Sequence, residues 1–400
     1  MIFLYALVAA SLIAEALAVW LVIRNYRYVL RKFDRSRTSY CPKTSLIIPC
    51  KGFDTEFEKN ISSFYALDYS DYELIFVTES RQDSAYNHLL EIKEKLQSKT
   101  AAFKISVVVA GVSKRAGQKI HNQLFGCAAA DRDSEVFAFA DSDACVKPNW
   151  LNELVYPLRR EKNGIASGYR WYVPLKNNFA TIALSVINAK VAQLLGSTIF
   201  NYAWGGSMAV RVDVFKKIGM EKIWQNAVSD DLTISRAVKK AGLKVYFVPA
   251  CFVASYEKYD FPRFLEFARR QFLITRIITP GTWMFGFITS LYSVFALWGF
   301  AAIALYLKST GFANWYIFLL TALLSASGQF FTAALRQKMI LEVFYSDWHR
   351  LKVAAFADVL AGPLWSLIIL YCIISSSIGR TIQWRGIKYK LISPTEVIRI

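Results

Sequence analysis

The feature that most constrains the fold is an apolar run at the start of the chain, residues 2–23, which contains one charged residue, Glu15. A helix of about 20 apolar residues is long enough to cross the roughly 30 Å of hydrocarbon in a bilayer. The basic sequence RNYRYVLRKFDRSR follows the run directly. A secretory signal peptide would instead carry its basic residues before the run and a small-residue cleavage site after it. We therefore predict a transmembrane anchor over residues 1–25 and a basic juxtamembrane linker over residues 26–43, with the following domain in the cytosol.

Three further apolar runs lie towards the C-terminus. Residues 283–307 and 315–335 are each long enough to span a bilayer. The third run, residues 353–376, is interrupted by Asp358 and by the helix-breaking pair Gly362-Pro363, so it either spans or is re-entrant. We predict a block of transmembrane or interfacial helices over residues 281–378.

The side of the membrane on which the basic tail, residues 379–400, lies depends on the number of crossings. If all three runs cross, the tail is outside, against the preference of basic segments for the cytosolic side. A re-entrant third run, or an additional dip around residues 339–344, would keep the tail in the cytosol, and we favour a cytosolic tail.

The composition argues for a membrane protein rather than a nucleic-acid-binding one. Of the 400 residues, 54% are hydrophobic and the net charge is +18, from 48 basic and 30 acidic residues. A basic surface beside a membrane suits anionic lipid, and no zinc-finger, RNP or helix-turn-helix pattern supports binding to nucleic acid. The six cysteines have no CxxC spacing and fit free thiols in a reducing compartment, while the three scattered histidines argue against a histidine-based metal site.

Between residues 44 and 280, short apolar segments alternate with helical patterns. The segments TSLIIPC, YELIFVTE, KISVVVAG and VFAFADSD are typical of strands, and residues 85–96 and 118–130 have helical spacing. Apolar strands separated by helices predict an α/β domain with a mostly parallel sheet and helices on both faces.

The segments that follow these four strands are expected to share one edge of the sheet. In open α/β sheets, ligands bind in the crevice beyond the carboxyl ends of the strands. The residues predicted at this edge are Pro49, Lys51, Glu79, Asp83, Lys119, Asp141 and Asp143.

Asp141 and Asp143 are separated by Ser142, so in an extended chain their side chains point the same way. Two carboxylates on one side repel each other, and a divalent cation such as Mg²⁺ or Mn²⁺ relieves that repulsion. Magnesium is commonly held by one or two carboxylates together with substrate phosphates. The alternative is that one acid caps the helix that Pro148 begins.

A second acidic pair, Asp230 and Asp231, precedes an apolar pattern with helical spacing. Ser229 or Asp230 can cap that helix, which leaves one carboxylate surplus. A surplus carboxylate over a cleft can accept a proton from a hydroxyl nucleophile. The alternative is that both acids only stabilise the helix dipole.

Two other segments have alternative interpretations. The Gly205-Gly206 turn allows a ligand to approach the backbone closely, or it is a hairpin turn. The sequence RRQFLITR sets cations just before the second apolar run, where they either neutralise a leaving diphosphate or anchor the chain at the membrane interface. Its candidate residues are Arg269, Arg270, Gln271 and Arg276.

These motifs, in this order, resemble those of family-2-type membrane glycosyltransferases, and most closely those of ceramide glucosyltransferases and related bacterial lipid glycosyltransferases. The matching segments are SLIIPCKGFD, ALDYSDYELIFVTESRQDSA, GQKIHNQL, FADSDACVKPNWL, WGGSMAVRVDVFKKIG, SDDLTISRAVKKAGLKV and IQWRGIKYKL. The resemblance covers nearly the whole chain and implies a GT-A type, Rossmann-like domain.

The resemblance also implies roles for individual residues. Asp83 matches a signature aspartate of the donor-nucleotide region, with Glu79 beside it as a contact for uracil or ribose. Asp141 matches the second signature aspartate, and Asp143 completes the DxD that holds metal and diphosphate. Asp231 matches the third, the general base. The implied reaction is a single in-line displacement with inversion, which moves one sugar, glucose from UDP-glucose, onto a lipid hydroxyl.

One motif departs from the family pattern. The family carries (Q/R)xxRW before its membrane block, whereas here Phe272 stands at the Trp position, Gln271 at the Arg position and Ala268 at the first position. Arg269 and Arg270 supply the charge in a shifted register. The departure, and the small number of apolar runs, argue against a processive synthase of the cellulose or hyaluronan type.

Three functional hypotheses remain. The first is a transferase that acts on ceramide, diacylglycerol or a hopanoid-type lipid in a bacterial inner membrane or a Golgi- or ER-type membrane. The second is a processive polysaccharide synthase. The third is a catalytically silent membrane scaffold that keeps the nucleotide-binding fold.

Overall fold

The computed structural model describes residues 1–33, 37, 39–52 and 56–400. Part of the predicted linker, residues 34–36 and 38, and residues 53–55 of the SLIIPCKGFD motif lie outside the described residues.

The soluble domain is built on a seven-stranded sheet with the strand order β3-β2-β1-β4-β6-β5-β7. Strands β1, β2, β3 and β4 are mutually parallel, β5 and β7 are parallel, and β6 runs antiparallel to both of its neighbours. The strands are β1 (Thr44–Pro49), β2 (Tyr72–Thr78), β3 (Lys104–Val109), β4 (Val136–Ala140), β5 (Asn163–Pro174), β6 (Ser207–Arg211) and β7 (Lys244–Glu257).

Helices cover both faces of this sheet. Leu46 and Ile48 of β1 pack on one face with the helices Phe57–Tyr65 and Trp150–Val155. Ile47 packs on the opposite face with the helices Gln118–Ala129, Met220–Trp224 and Asp230–Lys240. Strands β1, β2 and β4 are buried on both faces and are therefore rich in apolar residues, which is why they could be recognised in the sequence. The helices are α1 (Ile2–Leu30), α2 (Phe57–Tyr65), α3 (Ser84–Leu96), α4 (Gln118–Ala129), α5 (Trp150–Val155), α6 (Phe179–Ala192), α7 (Val212–Lys217), α8 (Met220–Trp224), α9 (Asp230–Lys240) and α10 (Phe261–Ile278).

The strand order reverses beside β1, because β2 lies on one side of it and β4 on the other. Ile47 of β1 is in register with Ile75 of β2 and with Phe139 of β4. The carboxyl ends of these three strands therefore open into one crevice, the position where α/β sheets bind ligands.

Three helices among the described residues are long and apolar enough to cross a membrane: Ile2–Leu30, Pro280–Ser309 and Trp315–Val343. The second of them contains a short π-helical segment, Phe295–Gly299. The remaining helices are α11 (Pro280–Val294), α12 (Phe300–Ser309), α13 (Trp315–Val343), α14 (Trp348–Leu360) and α15 (Gly362–Ser375). The predictions of an N-terminal apolar helix, a mostly parallel α/β domain and a C-terminal helical block are confirmed.

The third C-terminal run is a broken helix. The segments Tyr345–Leu360 and Gly362–Ser375 meet at an angle of 89°, at the Gly362-Pro363 pair. Asp358, which interrupts the apolar run, is fully buried and accepts hydrogen bonds from Arg336 Nε at 2.6 Å and Gln337 Nε2 at 2.6 Å. Pairing with Arg336 explains how a carboxylate is accommodated in this apolar block.

Two segments have more regular structure than the sequence predicts. Helix α1 continues to Leu30, so the predicted boundary at residue 25 falls inside the helix and the linker begins as helix. The segment predicted as a basic tail forms a three-stranded antiparallel sheet, β8 (Thr381–Trp384), β9 (Ile387–Ser393) and β10 (Glu396–Arg399). Along β9, buried apolar residues alternate with exposed lysines, and the buried side chains pack against Leu273 of α10.

Candidate active site

The first part of the site lies at the ends of β1 and β2, as predicted. Lys51, two residues after β1, forms an ion pair with Glu79, which follows β2 directly. Asp83 caps helix α3 by accepting from the Ala85 N–H at 3.0 Å, and it also accepts from the Gly52 N–H at 2.8 Å. The two loops are therefore joined into one rim of the crevice. Pro49 is the last residue of β1 and is buried below this rim.

The centre of the site is an ion cluster around Lys119. Its Nζ lies 2.7 Å from Oδ1 of Asp141 and 2.9 Å from Oδ2 of Asp230. Lys119 is in the first turn of α4, Asp141 directly follows β4, and Asp230 is the first residue of α9. Burial alone would lower the pKa of Lys119, but the carboxylates outweigh it and hold the pKa above its ordinary value, so the ammonium stays charged.

A second cation, Arg170, completes the cluster. From β5, its Nη2 lies 2.9 Å from Oδ2 of Asp141, and its Nη1 lies 3.9 Å from Oδ2 of Asp143. The guanidinium carbon lies 4.6 Å from the centre of the Trp204 ring, within cation–π distance. Burial alone would raise the pKa of Asp141, but Lys119 and Arg170 lower it below its ordinary value, so Asp141 is ionised.

Arg170 was not predicted from the sequence. The signal that could have found it is an arginine within the otherwise apolar segment GYRWYV, since a buried cation in a strand requires a carboxylate partner. In this structure Arg170 and Lys119 supply the positive charge that the Asp141–Asp143 pair requires.

The two glycines of the WGGS motif lie against the acids. An added Cβ at Gly205 would overlap Oδ2 of Asp230, and one at Gly206 would lie 2.6 Å from Oδ2 of Asp141 and would overlap the Trp204 ring. The turn leads directly into β6. Glycine is therefore required here because the carboxylates and the Trp204 ring approach the backbone.

Asp230 and Asp231 have different environments. Asp230 is buried and accepts from Gln123 Nε2 at 2.8 Å in addition to Lys119. Asp231 is less buried, and its Oδ1 accepts from the Ser229 hydroxyl at 2.6 Å and the Leu232 N–H at 2.7 Å. Burial and the neighbouring Asp230 carboxylate raise the pKa of Asp231 above its ordinary value. Ser229 is the N-cap of α9, which is one of the two capping arrangements that the sequence allows.

The arginines of RRQFLITR hold the C-terminal segment. Arg269 donates from Nε to the Ser375 carbonyl at 3.1 Å and from Nη2 to the Ile378 carbonyl at 2.8 Å. Arg270 Nη1 donates to the Gln383 carbonyl at 2.9 Å, and Arg276 donates to the carbonyls of Ser377 and Gly379. Gln271 is exposed on α10. The structure thus gives the three arginines backbone partners in residues 375–383 rather than contacts with the Asp141 cluster.

The C-terminal sheet brings a further cation to the rim. Arg385, in the turn between β8 and β9, donates from Nη1 to the Lys51 carbonyl at 3.1 Å. Sequence reasoning missed it because the residues it joins are 334 positions apart. The motif IQWRGIKYKL, which contains Arg385, was the available signal.

Asp141 and Asp143 are the acids of the site placed to hold a divalent metal. The described residues contain no group of three or more His, Cys, Asp and Glu side chains able to hold a metal ion. Asp141 and Asp143 offer two carboxylates with side-chain exposures of 17% and 25%. This donor set fits a hard cation that takes its other ligands from phosphate oxygens and water.

One protein family and two solved structures are similar to this chain. The model of the family described as Glycosyl transferase family 21 matches residues 3–397. The mannosyltransferase PcManGT from Pyrobaculum calidifontis, solved with GDP-Man and Mn²⁺, is 14% identical with a TM-score of 0.45 and covers 92% of this chain and 97% of that chain. GalNAc-T7, solved with UDP, GalNAc and Mn²⁺, is 15% identical with a TM-score of 0.41 and covers 57% of this chain and 48% of that chain. The family match includes the helices at both ends of the chain.

Proposed function

Because the chain belongs to glycosyl transferase family 21, we propose that it moves one sugar, glucose from UDP-glucose, onto the hydroxyl of a membrane lipid such as ceramide. The observation that carries this proposal is the Lys119 bridge between Asp141 and Asp230, with Asp231 next in the chain. It joins Asp141, proposed to act on the leaving diphosphate, to Asp230, the neighbour of the residue proposed to act on the attacking hydroxyl. The two halves of a transfer reaction thus meet in one cluster.

The proposed chemistry is a direct displacement with inversion. The lipid oxygen attacks the anomeric carbon while the bond from that carbon to the diphosphate oxygen breaks, and the electron pair leaves with the diphosphate. Asp231 accepts the hydroxyl proton. Its raised pKa suits it to this task, because a carboxylate with an ordinary pKa is a weaker base.

The donor is proposed to lie along the rim made by the loops after β1 and β2. Glu79 and Asp83 would contact the nucleoside, and Lys51 and Lys119 would attract its diphosphate. We propose that Asp141 and Asp143 hold a divalent metal, Mg²⁺ or Mn²⁺, which when bound neutralises the departing diphosphate. The partial exposure of both carboxylates at the mouth of the crevice supports this proposal.

The contacts of the C-terminal sheet support a cytosolic tail. Tyr389 of β9 accepts from the Gln118 N–H of α4 at 3.2 Å, so the tail and the soluble domain lie on the same side of the membrane. An even number of crossings must then separate them. Two spans and a re-entrant broken helix satisfy this requirement, and the basic segment after α1 favours the cytosolic side for both.

A labelled-donor assay tests the function and separates it from the alternatives. Membranes containing the protein are incubated with radiolabelled UDP-glucose and then extracted with organic solvent. We expect the label in an extractable lipid. Label retained as a polymer would support the processive synthase, and no transfer from any nucleotide sugar would support the silent scaffold.

A further inference from the structure

The turn between β8 and β9 has an unusual backbone. Arg385 has φ of 45° and the following Gly386 has φ of 82°. Among the described residues, Arg385 is the one non-glycine residue with positive φ. Two successive positive φ angles are typical of a type I′ hairpin turn, in which Asn-Gly is the preferred pair. An arginine at the first position is unfavourable for the turn itself, so its side chain warrants another explanation.

The side chain of Arg385 reaches the crevice. Its Nη1 bonds the carbonyl of Lys51, at the end of β1, and the residue remains exposed. Its charge contributes, after burial, Lys119 and Arg170, to the environment that keeps Asp141 ionised. The guanidinium therefore contacts the loop after β1 and lies close enough to Asp141 to influence its ionisation.

The hairpin is held in this position from two sides. The Tyr389 hydroxyl accepts a hydrogen bond from the Gln118 N–H at the start of α4, and the Val397 N–H donates to the Asn226 carbonyl at 2.9 Å. From α10, Arg270 bonds the Gln383 carbonyl, two residues before Arg385. The segment RRQFLITR, through Arg270, thus holds the hairpin that carries Arg385 in place.

We propose that Arg385 is a diphosphate-binding residue of the donor site, supplied by the C-terminal sheet, and that Arg269, Arg270 and Arg276 position it. A guanidinium binds phosphate oxygens through paired, charge-assisted hydrogen bonds. This inference rests on the proposed function, because it requires a nucleoside diphosphate in the crevice. It reassigns to the hairpin the cationic role that the sequence suggested for RRQFLITR.

The test uses the purified full-length protein and measures the dissociation constants of UDP and uridine by calorimetry. Arg385→Asn removes the charge and suits the positive φ, so the turn is preserved. We expect this variant to bind UDP about tenfold or more weakly, because a charge-assisted hydrogen bond is lost, and to bind uridine as the wild type does. Arg385→Lys should lie between the two.

Lys388→Gln is the matched control, since it removes one positive charge from an exposed position of the same sheet. It should leave both dissociation constants unchanged. The assignment would be overturned if Arg385→Asn bound UDP as tightly as the wild type does. It would also be overturned if Lys388→Gln lost as much affinity for UDP, or if Arg385→Asn lost affinity for uridine to the same extent as for UDP. A wild-type protein that binds no UDP would instead overturn the proposed donor, and the assignment with it.

Discussion

Nζ of Lys119 lies 2.7 Å from Oδ1 of Asp141, although Lys119 is in the first turn of a helix and Asp141 directly follows a strand. The same ammonium lies 2.9 Å from Oδ2 of Asp230. These contacts make Lys119 the common partner of two carboxylates from different parts of the chain. Lys119 therefore links the two carboxylates, while Arg170 supplies a second positive charge at Asp141.

Replacing Lys119 by glutamine should weaken both the fold and the donor site. The change leaves two largely buried carboxylates without their shared cation, and breaking such a pair costs about 3 kcal/mol. We expect a lower midpoint of thermal unfolding and weaker UDP binding. Lys114→Gln, at an exposed position five residues earlier, should change neither. Equal thermal midpoints in the two variants would contradict the structural role of Lys119.

The rate should depend on pH through Asp231. A general base acts only when deprotonated, so the rate should fall as the pH drops through the raised pKa of Asp231. Asp230 contributes to that raised value through the repulsion between the two carboxylates. In Asp230→Asn the repulsion is absent, so the pKa of Asp231 should decrease and the acidic limb of the rate profile should move to lower pH. The profile of kcat/KM against pH measures this shift. A limb that stays in place, or moves to higher pH, would count against Asp231 as the base.

The α/β domain could be predicted because β1, β2 and β4 are buried on both faces and therefore stand out as apolar runs separated by helical patterns. The rule for parallel sheets also predicts, from the strand pattern alone, that Lys51, Glu79 and Asp141 lie at one edge. Each of these residues follows a strand that can be recognised from its own sequence. The proximity of the loops after β1 and β2 is confirmed by the Lys51–Glu79 ion pair.

Arg170 and Arg385 could not be predicted in the same way. Arg170 reaches Asp141 because β5 pairs with β6 and β7, which is a long-range pairing that local patterns do not determine. Arg385 lies on a sheet whose strands are short and half exposed, so its sequence is typical of a basic tail. Lys119 was predicted at this edge of the sheet, whereas the cations Arg170 and Arg385 reach the site through these tertiary contacts.

Gly206 should not tolerate a side chain. The Cβ of Gly206→Ala would lie 2.6 Å from Oδ2 of Asp141 and would overlap the Trp204 ring, so one of them must move. We expect UDP binding and transfer to fall by more than tenfold, since a displacement near 1 Å at a reacting centre can cost about a hundredfold. Gly281→Ala is the control, because no atom lies within 4 Å of its added Cβ. Normal activity in Gly206→Ala would show that the close approach is not required.

The contacts of the C-terminal sheet lead to a prediction for topology. In sealed vesicles that expose the cytosolic face, a tag after Ile400 and a tag in the soluble domain should both be digested by added protease. A tag before Met1 should be protected, because α1 crosses the bilayer once. Protection of the tag after Ile400 would require an odd number of crossings after residue 280 and would contradict the docked sheet.

The most direct test of the central claim is mass spectrometry of lipids from cells that produce the wild-type protein or Asp231→Asn. Calorimetry with UDP establishes that the variant still binds nucleotide, as expected for a change confined to the base. We predict that a lipid heavier by one hexose accumulates with the wild type and is absent with the variant. Identical lipid profiles from the two proteins would contradict the claim that this chain transfers a sugar to a lipid through Asp231.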